Sequence, residues 1–234
     1  MSAILPFRGE PMNVLTILRS VEELLYEVIS WLLFYPRTLW MTLTRPLQTM
    51  HYSDQEQRDK PEKQYLETLS PPLFLVLSIL LSHGLELALG FKVQHGTSEI
   101  GRVITGNEQA LLAFRALLYS LYALIFASLA LGLTGKRLDR ESLRTPFFAQ
   151  CYLAGAYAIL ISMGTACIRY PNVWGVAAGV AILLLTTVWY IAVEMVWLRK
   201  ECGRYPFAAA LIALGGYGTG SAIAFGLGAI IVWG

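Results

Sequence analysis

Ser70-Pro-Pro-Leu-Phe-Leu-Val-Leu-Ser-Ile-Leu-Leu-Ser-His-Gly-Leu-Glu-Leu-Ala-Leu-Gly-Phe91 is the stretch whose reading decides the fold. Positions 72–91 supply 20 residues. At about 1.5 Å of rise per residue they make a helix roughly 30 Å long, the thickness of a bilayer's hydrocarbon core. Ser70 stands where it can cap the first turn, and Pro71 or Pro72 takes the opening position, where a missing N–H costs nothing. The stretch is expected to cross a membrane. Its two ionisable residues, His83 and Glu86, lie one turn apart on one face, and a charge at that depth is expensive enough to need a partner.

The composition agrees. Of 234 residues 56% are hydrophobic and 15% charged, and the mean hydropathy is +0.53, too apolar for an ordinary soluble domain. A net charge of +2 gives no global reason to expect nucleic acid or an acidic substrate. Cys151, Cys167 and Cys202 have neither C-x-x-C spacing nor a pairing framework, and are expected as free thiols. Residues 1–10 lack a basic region followed by an apolar core, so no removable signal peptide is expected.

Working outward toward the N-terminus, residues 1–13 read as a loose leader, and 13–35 as an amphipathic helix. Val14, Leu18, Val21, Leu25, Val28 and Leu32 recur at helical spacing, while Arg19, Glu22, Glu23 and Glu27 fall off that seam. Its charge-free stretch is too short to span, and Pro36 is expected to end it. Because the polar face is acidic, whereas surface helices on anionic lipid are rich in Lys and Arg, Leu18, Val21, Leu25 and Val28 are read as a docking face. That face would meet the protein's own bundle or a partner helix; a helix lying on the membrane is the alternative. Arg37, Trp40 and Arg45 suit the headgroup level. Residues 51–68, dense in charge and containing Pro61, read as a solvated hinge.

Toward the C-terminus, 92–107 reads as a polar loop. Four more spans follow at about 109–133, 147–168, 174–198 and 207–233, with Pro146, Pro171 and Pro206 in the connections. The fold class is therefore all-α: a polytopic membrane protein with five transmembrane helices (70–234), preceded by an N-terminal region (1–69) carrying the amphipathic helix. Fourteen of the 18 Lys and Arg fall on one side of such a bundle: seven before the first span, four in 134–146 and three in 199–206. The positive-inside bias then puts the N-terminus in the cytoplasm and Gly234 outside.

Glu86 and Arg115 come to the same depth if spans one and two are antiparallel neighbours. Such a pair would fix helix register; the functional alternative is a charged site for an ion, a proton or an anionic headgroup. His83 could join as a hydrogen-bonding third member or be satisfied locally. No second metal ligand occurs at helical spacing, and no cofactor is implied. Glu194, near Arg199 and Lys200, is read as snorkelling to the interface. Gly215, Gly216, Gly218 and Gly220 in the last span are read as a packing face, with a glycine-lined solute path as the alternative. No phosphate loop, HExxH or GxSxG is present, and no enzyme is expected.

Tyr35-Pro-Arg-Thr-Leu-Trp, Arg45-Pro46 and Leu69-Ser-Pro-Pro-Leu-Phe, followed by hydrophobic helices, resemble the Ypt-interacting-protein (Yip) family of five-span membrane proteins and its permease-labelled bacterial branch. The resemblance implies a bacterial inner-membrane protein that organises membranes or assembles with a protein partner or with itself. It transfers no site residues. Two functional readings follow: a non-enzymatic scaffold or assembly subunit, and a small permease or channel. The second would need an oligomer, since five spans without an inverted repeat leave little room for alternating access.

Overall fold

A computed structural model describes residues 14–60, 63–91 and 96–233. The leader 1–13, Pro61 and Glu62, loop positions Lys92 to His95 and Gly234 lie outside the described residues, as do the side chains of 14–17, 232 and 233. Among the described residues there are eight helices and no strand: α1 (Val14–Thr44), α2 (Pro46–Glu56), α3 (Pro71–Ala88), α4 (Glu99–Thr105), α5 (Glu108–Thr134), α6 (Arg140–Ile168), α7 (Val173–Cys202) and α8 (Pro206–Trp233). Five of them, α3 and α5 to α8, are long and apolar enough to cross a membrane. This is an integral membrane protein.

The bundle is built around α6, which touches α3, α5 and α7 as well as α1 and α2. Of its most apolar window 61% is buried, against 22% for α7 and for α8, so α6 is the inner helix and the other two offer most of their surface to lipid. Its sequence explains the position. Ala149, Ala154, Gly155, Ala156 and Ala158 are small, and in lipid, where no hydrophobic force drives helices together, close backbone approach is what van der Waals packing rewards. A Cβ at Gly155 would lie 2.8 Å from the Phe74 ring of α3, and one at Gly179 of α7 would lie 2.6 Å from the Gly164 carbonyl. On α8, Gly216 and Gly220 lie beneath Leu129, Phe126 and Tyr122 of α5. Gly215 and Gly218 meet nothing within 4 Å, so only half of the expected glycine packing face packs.

Proline placement differs from the expectation twice. α1 does not end at Pro36 but continues to Thr44, and α6 begins at Arg140 and runs through Pro146. An internal proline forfeits one backbone bond and costs about 3 kcal/mol, which tertiary contacts offset here. Around Pro36, Tyr35, Thr38 and Thr42 are buried, the Tyr35 hydroxyl donates to Ser78 at 3.0 Å, and the Leu69 amide donates to Thr38 at 3.2 Å. At the start of α6 the Asp139 side chain caps the Glu141 and Ser142 amides. Ser70, by contrast, caps α3 only through its carbonyl, which accepts from the Phe74 amide; its side chain makes no cap bond.

Two segments read as loops carry structure. The expected hinge at 51–68 begins inside α2, which packs on α6 and buries Thr49, Met50 and Ser53. In the expected polar loop, α4 seats against the end of α8, where Ser98 donates to the Ile231 carbonyl at 3.0 Å. The amphipathic part of α1 does the reverse of docking internally. Every residue from Leu18 to Ile29 is exposed, including Leu18, Val21, Leu25 and Val28. Contact with the bundle begins near Trp31 and Phe34.

Candidate functional site

Polar groups gather at three levels: a cavity at the α4 end, a closed centre in the middle, and a second cavity at the α2 end. At the α4 end, Arg115 of α5 donates through Nη2 to Glu86 Oε2 of α3 at 2.7 Å. Ser162 of α6 lies 3.4 Å from the other carboxylate oxygen. Three helices thus converge on one carboxylate. The pair borders a cavity of about 610 Å³, walled on its apolar side by residues such as Phe114, Leu118 and Phe225. Arg169, at the C-terminal end of α6, also lines it, with its guanidinium 5.5 Å above the Phe91 ring. Among the described residues Arg169 makes no ion pair, so the cavity wall carries two guanidinium groups and one carboxylate. The inner wall is phenolic: Tyr157 and Tyr217 share a 2.8 Å hydrogen bond, Thr187 lies 3.3 Å from the Tyr217 hydroxyl, and Tyr122 bonds Ser221 at 3.1 Å.

His83 is buried beside this site, yet neither ring nitrogen has a hydrogen-bond partner among the described residues, so it is not a bonded third member of the Glu86–Arg115 pair. Arg37, placed at the headgroup level from sequence, pairs with Glu67 at 2.8 Å on an exposed surface; Trp40 and Arg45 are also exposed.

Glu194 departs furthest from its expected place. Instead of snorkelling, its side chain is fully buried, and its carboxylate accepts from Gln150 Nε2 of α6 at 3.0 Å. The phase of α7 explains this. Tyr190, Val193, Glu194, Trp197 and Leu198 form one inward face at spacings of three and four residues, while Arg199 and Lys200 point outward. Glu194 Oε1, Gln150 Oε1 and the Tyr190 hydroxyl are all buried without a partner.

At the α2 end, a cavity of about 400 Å³ is lined by Asp54 and Gln57 of α2, Ser142 and Pro146 of α6, and Trp197 and Glu201 of α7. Burial, followed by the nearby Glu201 carboxylate, pushes the Asp54 carboxyl up to about 6. Along α7 the two cavities are bounded by Thr187 and Trp197, ten residues or about 15 Å apart; along α6 they are bounded by Tyr157 and Pro146, about 16 Å apart. Tyr190, Glu194 and Gln150 sit within that partition. Pro146 also has no N–H to offer the Ser142 carbonyl one turn back, leaving an acceptor at the mouth of the second cavity.

No metal-binding group of three or more His, Cys, Asp or Glu residues occurs among the described residues. Comparison of the chain with family models, curated proteins and solved structures found no match.

Proposed function

We propose that this integral membrane protein is a non-enzymatic, permease-like protein whose cavity at the α4 end receives a small molecule with one anionic group and an apolar body. One observation carries the reading: a cavity of about 610 Å³ with Arg169, unpaired among the described residues, and the Glu86–Arg115 pair on its wall, facing aromatic and aliphatic side chains. That size and mixture suit a small-molecule site, and ionisable groups at membrane depth are retained where they are used. The Glu86–Arg115 pair holds its own charges in balance, which leaves Arg169 as the group available to a ligand's anion.

On the positive-inside count this cavity would face the outside and the α2-end cavity the cytoplasm. In this orientation a solute would enter from outside and meet a partition about 15 Å thick. The five-span plan with a large cytoplasmic N-terminal region is the one the Yip resemblance implies, and it is kept here as a proposal. Binding of a naphthalenesulfonate to the purified protein tests the reading. Arg169→Gln should weaken it about tenfold or more, the usual loss for one charge-assisted hydrogen bond, and leave binding of the uncharged naphthalene alcohol unchanged. Equal affinity of both probes for both proteins would remove the anionic-site reading.

A second reading, the scaffold or assembly subunit set out from the sequence, has its own support. The apolar face of α1 from Leu18 to Ile29 is exposed among the described residues, which leaves it for lipid, a protein partner or a second copy.

A further inference from the structure

The partition between the two cavities contains a carboxyl group in an unusual position. Glu194 is fully buried, its one hydrogen-bond partner is the neutral amide of Gln150, and no cationic side chain pairs with it among the described residues. A carboxylate left in that state would be costly, because desolvation is repaid only by a counter-charge or several hydrogen bonds. The groups facing it do not supply one. On its own helix the neighbour is Tyr190. Around Tyr190 in turn stand Tyr122 of α5, Tyr157 of α6 and Tyr217 of α8, all phenols. From α2, Asp54 and His51 reach only the cavities beyond Trp197, which they share with Glu201 and Lys200. Three oxygens here, Glu194 Oε1, Gln150 Oε1 and the Tyr190 hydroxyl, are buried with no partner, which is rare for polar atoms in a packed interior.

We infer that Glu194 and Gln150, with Tyr190 as the adjoining hydroxyl, form a site for a monovalent cation, a proton or a sodium ion, inside the partition. A proton would bond covalently to a Glu194 oxygen. A sodium ion would take the carboxylate and the Gln150 carbonyl as hard oxygen ligands. Either neutralises the carboxylate without a basic side chain. The position is also one a coupling ion would need. Toward the α4 end the Tyr190 ring centroid lies 4.8 Å from that of Tyr157, which lines the first cavity, with the rings tilted at 51°; toward the α2 end Trp197, one turn from Glu194, lines the second. The inference goes beyond the anionic-ligand reading and stands whether or not Arg169 binds anything, because its test uses no such ligand.

The test uses the full chain in detergent or nanodiscs. Thermal unfolding is followed against sodium chloride, with choline chloride holding ionic strength constant. The carbonyl stretch of protonated carboxylic acids is followed by infrared difference spectroscopy across pH. If sodium is the ion, Tm rises with sodium, by about 5–10 °C at a hundredfold excess over Kd, and Glu194→Gln abolishes the rise. If a proton is the ion, sodium has no effect, a protonated-carboxyl band is present at neutral pH and is lost on titration to alkaline pH, and Glu194→Gln lacks it. The wild-type titrations decide the matter even where Glu194→Gln fails to fold, and Gln150→Leu should weaken the response while keeping the carboxyl. A sodium-independent Tm together with no titrating carboxyl band would overturn the site and leave a permanently neutral polar pair.

Discussion

Breaking the Glu86–Arg115 pair offers the most quantitative handle on the bundle. The bond is 2.7 Å long; the Arg115 side chain is 22% exposed and that of Glu86 10%, so both are largely desolvated. Removing one partner of a buried pair costs about 3–5 kcal/mol, and the charge left behind resembles an Arg or Asp at membrane depth, about 2.5–3.5 kcal/mol on insertion scales. Arg115 borders a cavity of about 610 Å³, room enough for water, which lowers the cost of leaving it unpaired. Glu86→Gln, which keeps shape and an acceptor, is therefore expected to cost about 2 kcal/mol. Arg115→Gln strands the deeper carboxylate, whose remaining partner is the Ser162 hydroxyl, and is expected to cost about 3–4 kcal/mol. For a protein of this size that is a fall in Tm of about 5–15 °C. The double variant should regain about 2 kcal/mol over the sum of the singles, the coupling read from a thermodynamic cycle in detergent. Exchanging the two residues should restore most of the stability. Additive single effects would mean that the two side chains do not stabilise each other, and the converging-helix description of the site would fail with them.

Glycines give a second, internal comparison. Gly179→Ala drives a Cβ to 2.6 Å from the Gly164 carbonyl and should separate α6 from α7, lowering Tm measurably. Gly218→Ala meets open space and should be neutral or stabilising by up to about 1 kcal/mol through helix propensity. Asp54 predicts a pH dependence. Its folded-state value of about 6 lies above the ordinary 3.8, so the folded protein holds this proton more tightly, and stability should fall as pH rises from about 4 to 6 and then level off. Asp54→Asn should remove that slope from a Tm-against-pH series. On α1, Leu25→Glu should leave bundle stability unchanged, because Leu25 is 56% exposed, yet reduce co-purification of a partner or association of an α1 peptide with vesicles. A fall in bundle Tm would show that α1 docks internally after all.

The spans were legible because five apolar runs of bilayer length are hard to build any other way, and the depth match of Glu86 with Arg115 followed from helix rise alone. What the sequence hid was helical phase and tertiary support. Glu194 sits close in sequence to Arg199 and Lys200, so a hydropathy reading moves it to the interface. Reading Tyr190, Val193, Trp197 and Leu198 as one face would have turned it inward. Pro36 and Pro146 look like helix ends because local cost is what a sequence displays; the Tyr35–Ser78 and Leu69–Thr38 bonds that carry α1 past Pro36 act through folded contacts, whereas the Asp139 cap that starts α6 upstream of Pro146 is local. Residues 51–68 read as a solvated hinge because their charges hide that 51–56 complete α2, whose Thr49, Met50 and Ser53 are buried as it packs on α6. The α2-end cavity, which depends on that docking, had no signature of its own.

The permease reading is tested most directly by uptake of a radiolabelled naphthalenesulfonate into phosphatidylcholine vesicles containing the purified protein. Uptake above that of protein-free vesicles, cut about tenfold by Arg169→Gln, is the predicted result. Uptake equal to protein-free vesicles, or uptake indifferent to Arg169→Gln, would contradict it and leave the scaffold reading in its place.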